Sequence, residues 1–390
     1  MHPHSILLAL LPAILAKPSP SPAPLLIPNT SIPGKYIIKL KNTTPDLSSS
    51  FSTLITTLAI KPDHIFSTPF FKGFSAPLSP SFLTTVLSHP SIDFIEQDST
   101  ASILGTITTQ SPAPWNLARL SNRLPGNNTY RYDSSAGAGT CVYVVDTGVD
   151  ASHPEFEGRV TWGVNTAGDN KMSDGNGHGT AVAGVVAGVV HGVAKRAKVV
   201  VVKVLNSGGS GTTSGVIAGL SWIATDAPTR SDCPNGTVAN ISLGGGRSAA
   251  INAAAAALVN AGVFVSVAAG GSNDDAQYYS PASEPLVFTV GATDGEDWKS
   301  HSSNYGEGVD LFAPGVDIEV PWIGGGVASL SGTSMAAAHV SGLAAYFLGL
   351  KPNTPVAELG GYVQSIATRD VIVDLPEGTK NLLAYNGVDL

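Results

Sequence analysis

Charge is scarce in this chain. Lys, Arg, Asp and Glu supply 13% of its 390 residues, about half the usual quarter. The formal net charge of -8 is spread along the sequence without a basic stripe or polybasic run. That excludes the electrostatic footprint a nucleic-acid-binding surface needs, so no nucleic acid is expected as a partner. Cysteine occurs only at Cys141 and Cys233, which limits the chain to one internal disulfide at most. Beyond residue 16 no stretch resembles a transmembrane helix, and no membrane partner is expected. What the chain does have is 43% hydrophobic residues and 43 glycines, the material of a large core with tight turns.

The N-terminus reads as a targeting segment. Residues 6–16 are apolar, interrupted by Pro12, and too short to span a bilayer. No Lys or Arg precedes them, and Ile14 stands three places before the expected cut after Ala16. Residues 1–16 are thus expected to be a signal peptide and the protein to be secreted. Sequons at Asn29, Asn42, Asn127 and Asn235 fit that route, whereas Asn240 falls inside a predicted strand where no sugar is expected.

Two regions of different character follow. Residues 17–33 form a Pro-rich linker. Strand-like sequence at 35–40, helix-like sequence at 51–59, strand-like sequence at 65–75, a helix at 80–87 and a strand at 92–96 give the β-α-β-β-α-β order of a ferredoxin-like α+β unit over about residues 34–100. Residues 100–110, poor in charge, mark the junction. Beyond it, strands at 142–145, 199–204, 238–243 and 263–268 alternate with helices that begin at His178, Thr212 and Ser248. Continuous β-branched runs separated by helices predict a mainly parallel sheet covered on both faces, with sites gathered at the carboxyl ends of strands.

Three polar residues stand out against this background. Asp146 closes the run Cys141-Val142-Tyr143-Val144-Val145. His178 lies in Asp174-Gly175-Asn176-Gly177-His178-Gly179-Thr180, just before a small-residue helix. Ser334 opens an apolar helix in Ser331-Gly332-Thr333-Ser334-Met335-Ala336. Singly, each has an ordinary reading: a strand-end Asp as a cap or turn former, a helix-start Ser as an N-cap, a His between glycines as a turn residue or metal ligand. Jointly they supply the parts of an activated nucleophile, a hydroxyl, a base and an orienting carboxylate. Their order, Asp then His then Ser, is one of the known triad orders.

Val145-Asp146-Thr147-Gly148, Gly177-His178-Gly179-Thr180 and Gly332-Thr333-Ser334-Met335-Ala336 resemble the signature blocks of subtilisin-like serine proteases. Residues 151–158, 279–285 and 381–386 resemble the proteinase K branch, and the likeness runs from about Thr108 to the C-terminus. It implies a three-layer fold over residues 108–390, and a signal peptide plus inhibitory propeptide over residues 1–107. The propeptide would act as an intramolecular inhibitor of a monomeric enzyme and be removed by cleavage near Ile107. The resemblance also pairs Cys141 with Cys233, as a secretory route would. It places substrate between Gly209-Ser210-Gly211 and Ser242-Leu243-Gly244, with Gly270 beside them, although glycines after strands are otherwise ordinary turn formers. It further implies a structural calcium at the Pro285 and Val287 carbonyls and the Asp310 carboxylate, and no cofactor for catalysis.

Two positions depart from the family pattern. Relatives carry an Asn after Ala-Ala-Gly whose amide donates to the oxyanion; this chain has Gly271 there, with Asn273 as a possible substitute donor. Relatives carry Pro before the His that follows the nucleophile; this chain has Ala338. The leading expectation is an endopeptidase that forms an acyl-enzyme on Ser334 and prefers apolar or aromatic groups before the cut. The alternatives are an impaired homologue that binds peptides without turnover, and an esterase or transpeptidase-like catalyst.

Overall fold

The structure is a computed structural model, and it describes residues 22–28, 31–41, 55–56, 60–68, 70–99, 106–352 and 354–388. The targeting segment, the sequons at Asn29 and Asn42, and most of the helix expected at 51–59 lie outside the described residues. The chain divides into two compact units at residues 102/103.

In the first unit, strands Ser31–Leu40, His64–Ser67, Lys72–Pro77 and Ile92–Ser99 form one sheet with the helix Pro80–Leu87 between the last two. The longest strand pairs antiparallel with both Lys72–Pro77 and Ile92–Ser99. The stretch 65–75 supplies two strands, as the β-α-β-β-α-β order requires. One correction applies to the sequence reading: the linker holds a short strand, Leu25–Leu26, that runs parallel to Ile95 and Glu96. A compact core of Ile38, Phe74, Val86, Ile92 and Ile95 closes this unit.

The second unit is built on nine strands. Across the sheet their order is Thr368–Arg369, Leu382–Leu383, Leu311–Pro314, Phe288–Thr293, Phe264–Ala268, Gly236–Ile241, Thr140–Asp146, Lys198–Lys203 and Val160–Asn165. Every pairing is parallel except that of Thr368–Arg369. Alternation along the interior strand Thr140–Asp146 sends Val142 and Val144 to one face and Cys141, Tyr143 and Val145 to the other. The first face packs the helices His178–Ala187 and Thr333–Leu350; the second packs Thr213–Asp226 and Ala249–Asn260. This is a three-layer α/β sandwich in which that strand is fully buried. Helix caps sit where polar residues precede apolar runs, as where the Thr212 hydroxyl accepts the Gly215 N–H and the Ser248 hydroxyl accepts the Ile251 N–H.

Cys141 and Cys233 are joined across a sequence separation of 92. Closing so long a loop stabilises the fold by about 4–5 kcal/mol in the chain-entropy account. Asn127 is exposed, and Asn240 is fully buried in its strand.

Candidate active site

Asp146 ends the interior strand Thr140–Asp146 and is fully buried. Its carboxylate accepts the Thr147 N–H at 2.7 Å and faces His178 Nδ1 at 2.8 and 3.0 Å. His178 is the first residue of its helix, entered from Gly177 at φ 106°. A side chain at Gly177 would collide with the Trp322 ring, and one at Gly179 with the Gly148 carbonyl. Both glycines let the imidazole approach the strand end. The negative charge of Asp146 raises the His178 pKa above its usual value, against desolvation, with further help from the Asp146 hydrogen bond and from Asp174.

Asp174 is a residue whose role the sequence reading did not assign. Its carboxylate accepts the N–H groups of Asn176, Gly177 and Thr180 and the hydroxyls of Thr147 and Thr180, at 2.6 to 3.0 Å. It caps the His178 helix and ties it to the residue after Asp146. An acid four residues ahead of a helical His is the signal that could have found it. Lys203 was also missed. It is fully buried in register with Asp146, and its ammonium donates to the Thr147 and Leu205 carbonyls at 2.7 and 2.8 Å.

Ser334 sits in the first turn of the helix Thr333–Leu350. Its hydroxyl donates to the Ser242 carbonyl at 3.1 Å, while the Ser242 hydroxyl donates back to the Ser334 carbonyl at 2.9 Å. Asn240 donates to the Ser242 hydroxyl and accepts from Ser341, so the exchange is locked to the core. The Ser334 hydroxyl is thus held on the strand end by Ser242. His178 and Ser334 open onto adjoining clefts that share Ser242, Leu243, Gly244 and Gly245.

Gly209, Ser210 and Gly211 line the His178 cleft, and Gly270 and Gly271 line the Ser334 cleft, whose described lining carries no charged residue. Gly245 and Gly246 are already paired antiparallel with Ser280 and Tyr279. Gly271 is exposed, and a Cβ built on it meets nothing within 4 Å. Asn273 lies outside the cleft lining, and its side-chain oxygen accepts from Lys299 Nζ at 2.9 Å. Asn304 shapes this loop instead, accepting the Ser272 and Asp274 N–H groups and donating to the Ala269 carbonyl. Ala338 leaves the helix that carries Ser334 regular and buried.

The family model described as the subtilase family matches residues 137–387. The chain belongs to the subtilase family. It is similar to the cuticle-degrading protease of Metarhizium anisopliae, 49% identical over 98% of this chain and 99% of that one. Proteinase R of Parengyodontium album is 47% identical over 98% of each. Among solved structures, a cold adapted subtilisin-like serine proteinase matches with a TM-score of 0.66 and 43% identity, covering 71% of this chain and 99% of that one. As a subtilase the protein is a serine endopeptidase, and the paired carboxylate and imidazole are arranged for that chemistry.

In this subtilase the three expected calcium ligands, Pro285, Val287 and Asp310, line one cavity. Lys380 lines it too, and its ammonium lies 3.1 Å from Asp310 Oδ1. The expected ligands are gathered, but the carboxylate among them already holds a cation.

Proposed function

We propose that this subtilase is an extracellular endopeptidase that cuts peptide bonds through an ester on Ser334. Ser334 Oγ adds to the scissile carbonyl while His178 Nε2 takes its proton. The imidazolium formed is stabilised by Asp146 on Nδ1. Collapse of the tetrahedral intermediate breaks the C–N bond, and His178 returns the proton to the leaving amine. Water, deprotonated by His178, then releases the acid and restores Ser334. The 2.8 Å contact between Asp146 and His178, beside the cleft that holds Ser334, is the observation that carries this reading.

The uncharged second cleft supports a preference for apolar or aromatic side chains before the cut, and the glycine-lined rims support main-chain pairing with an extended substrate. Residues 17–107 act as a propeptide that inhibits in cis and is cut off near Ile107, leaving a monomer. Mature protein beginning at Lys17 would contradict that junction. A second reading, weak turnover of amides, is favoured by Gly271, because one oxyanion donor, the Ser334 N–H, acts without a side-chain partner. The test is labelling with a sulfonyl fluoride and hydrolysis of a peptide amide and its ester. An adduct on Ser334, with both activities lost in Ser334→Ala, is expected; unlabelled Ser334 with undiminished hydrolysis in the variant refutes the assignment.

A further inference from the structure

We infer that the cation held by Asp310 in this chain is the ammonium of Lys380, and that this place takes no calcium. Calcium needs about 6–8 oxygen ligands at roughly 2.3–2.6 Å, with lone pairs free to face the ion. Both carboxylate oxygens of Asp310 face donor hydrogens instead. Oδ2 accepts the Thr289 N–H at 2.9 Å, and Oδ1 accepts from Lys380 Nζ at 3.1 Å and Gln364 Nε2 at 3.2 Å. The Gln364 amide also donates to the Asp310 carbonyl at 3.1 Å, which fixes the residue from a second side. A divalent ion bound at Oδ1 would meet a like charge in direct contact with the same atom.

While Lys380 is in place, the cavity's other side chains do not converge to displace it, although Glu307 and the expected Pro285 and Val287 ligands also line the cavity. Asp275 accepts from the Gln277 N–H and side-chain amide, and Glu284 from the Leu286 N–H. Among the described residues, the only set of three His, Cys, Asp or Glu ligand atoms within 4.8 Å of one another is Cys141, Asp232 and Cys233, whose sulfurs form the disulfide. Carboxylates therefore line the cavity without converging on a point. Lys380 joins the C-terminal segment to Asp310, which precedes the strand Leu311–Pro314, whereas a metal on the expected ligands would tie Asp310 to residues 285 and 287.

The test uses the mature enzyme blocked by a serine-protease inhibitor, melted in excess EDTA and in millimolar CaCl2, with calcium content measured by atomic emission after gel filtration. Coincident melting curves are expected for the unsubstituted enzyme. Lys380→Met is expected to become calcium-dependent, melting higher in CaCl2 than in EDTA, because an ion that binds only the folded state raises Tm. Calcium retention, or a calcium-induced rise in Tm, that Asp310→Asn abolishes would overturn the proposal. So would a folded Lys380→Met that stays indifferent to calcium. A rise unchanged by Asp310→Asn arises from another site and supports it. Should Lys380→Met fail to fold, the comparison of the unsubstituted enzyme with Asp310→Asn decides alone.

Discussion

Replacing Gly271 by Asn is expected to raise kcat on peptide amides by about 2- to 30-fold. The backbone there is outside the left-handed region and the new Cβ meets nothing within 4 Å, so the substitution carries no steric penalty. A hydrogen bond to a charged group contributes about 1.5–3 kcal/mol. Since nothing packs on an exposed side chain at 271, holding its amide in place costs on the order of 1 kcal/mol of rotamer entropy. About 0.5–2 kcal/mol remains, and each 1.36 kcal/mol is tenfold in rate. The result stays below the roughly hundred- to thousandfold effect of the preorganised donor, a figure measured on a subtilisin rather than worked from this structure. Steady-state kinetics on a peptide anilide, with Ser334→Ala as the blank, reads the effect. The donor acts on charge that develops in the transition state, so kcat should rise with KM nearly constant. An unchanged kcat, or a gain confined to KM, refutes the reasoning.

Two further outcomes follow from titrating groups. His178 must be neutral to accept the Ser334 proton, and Asp146 raises its pKa, so the acid limb of kcat/KM should fall above pH 6.5; a limb at or below 6.5 in a pH-rate profile contradicts that coupling. His339 is fully buried, accepts from Asn116 and donates to the Met335 carbonyl, and burial pushes its pKa down to about 4. A depressed histidine leaves stability intact above pH 6.5 and erodes it as pH falls from there toward 4, by about 3 kcal/mol at most. Denaturant melts should therefore show a smaller acid loss for His339→Gln than for the unsubstituted enzyme, and equal losses would remove His339 as the cause.

Half of the sheet could be read directly and half could not. Strands buried on both faces appear as unbroken β-branched runs, and the observed Thr140–Asp146, Lys198–Lys203 and Gly236–Ile241 lie within one or two residues of their predicted bounds. Phe288–Thr293 is interrupted by Gly291, which is small because the Phe312 ring fills the space of its side chain. Leu311–Pro314 is four residues long and ends in proline, so periodicity says little there. At the candidate site, Asp146, His178 and Ser334 stood out because each sits in a short motif with a local mechanical purpose. The bond that parks Ser334 on Ser242 joins residues 92 apart, and the ion pair at Asp310 joins residues 70 apart. Neither leaves a local signature, since both depend on which strand ends the crossovers bring together.

The central sheet also constrains how this protein is made. Asn240, Ile241 and Ser242 spell an acceptor sequence for oligosaccharide, yet Asn240 is fully buried and its amide is committed to Ser242. A glycan attached while the nascent chain is still open would wedge apart the neighbouring strands and break the anchor beneath the nucleophile. In a glycosylating compartment, strand insertion and glycan transfer would therefore compete for one side chain. On the proposed extracellular route, the quantity at risk in that race would be the yield of folded molecules.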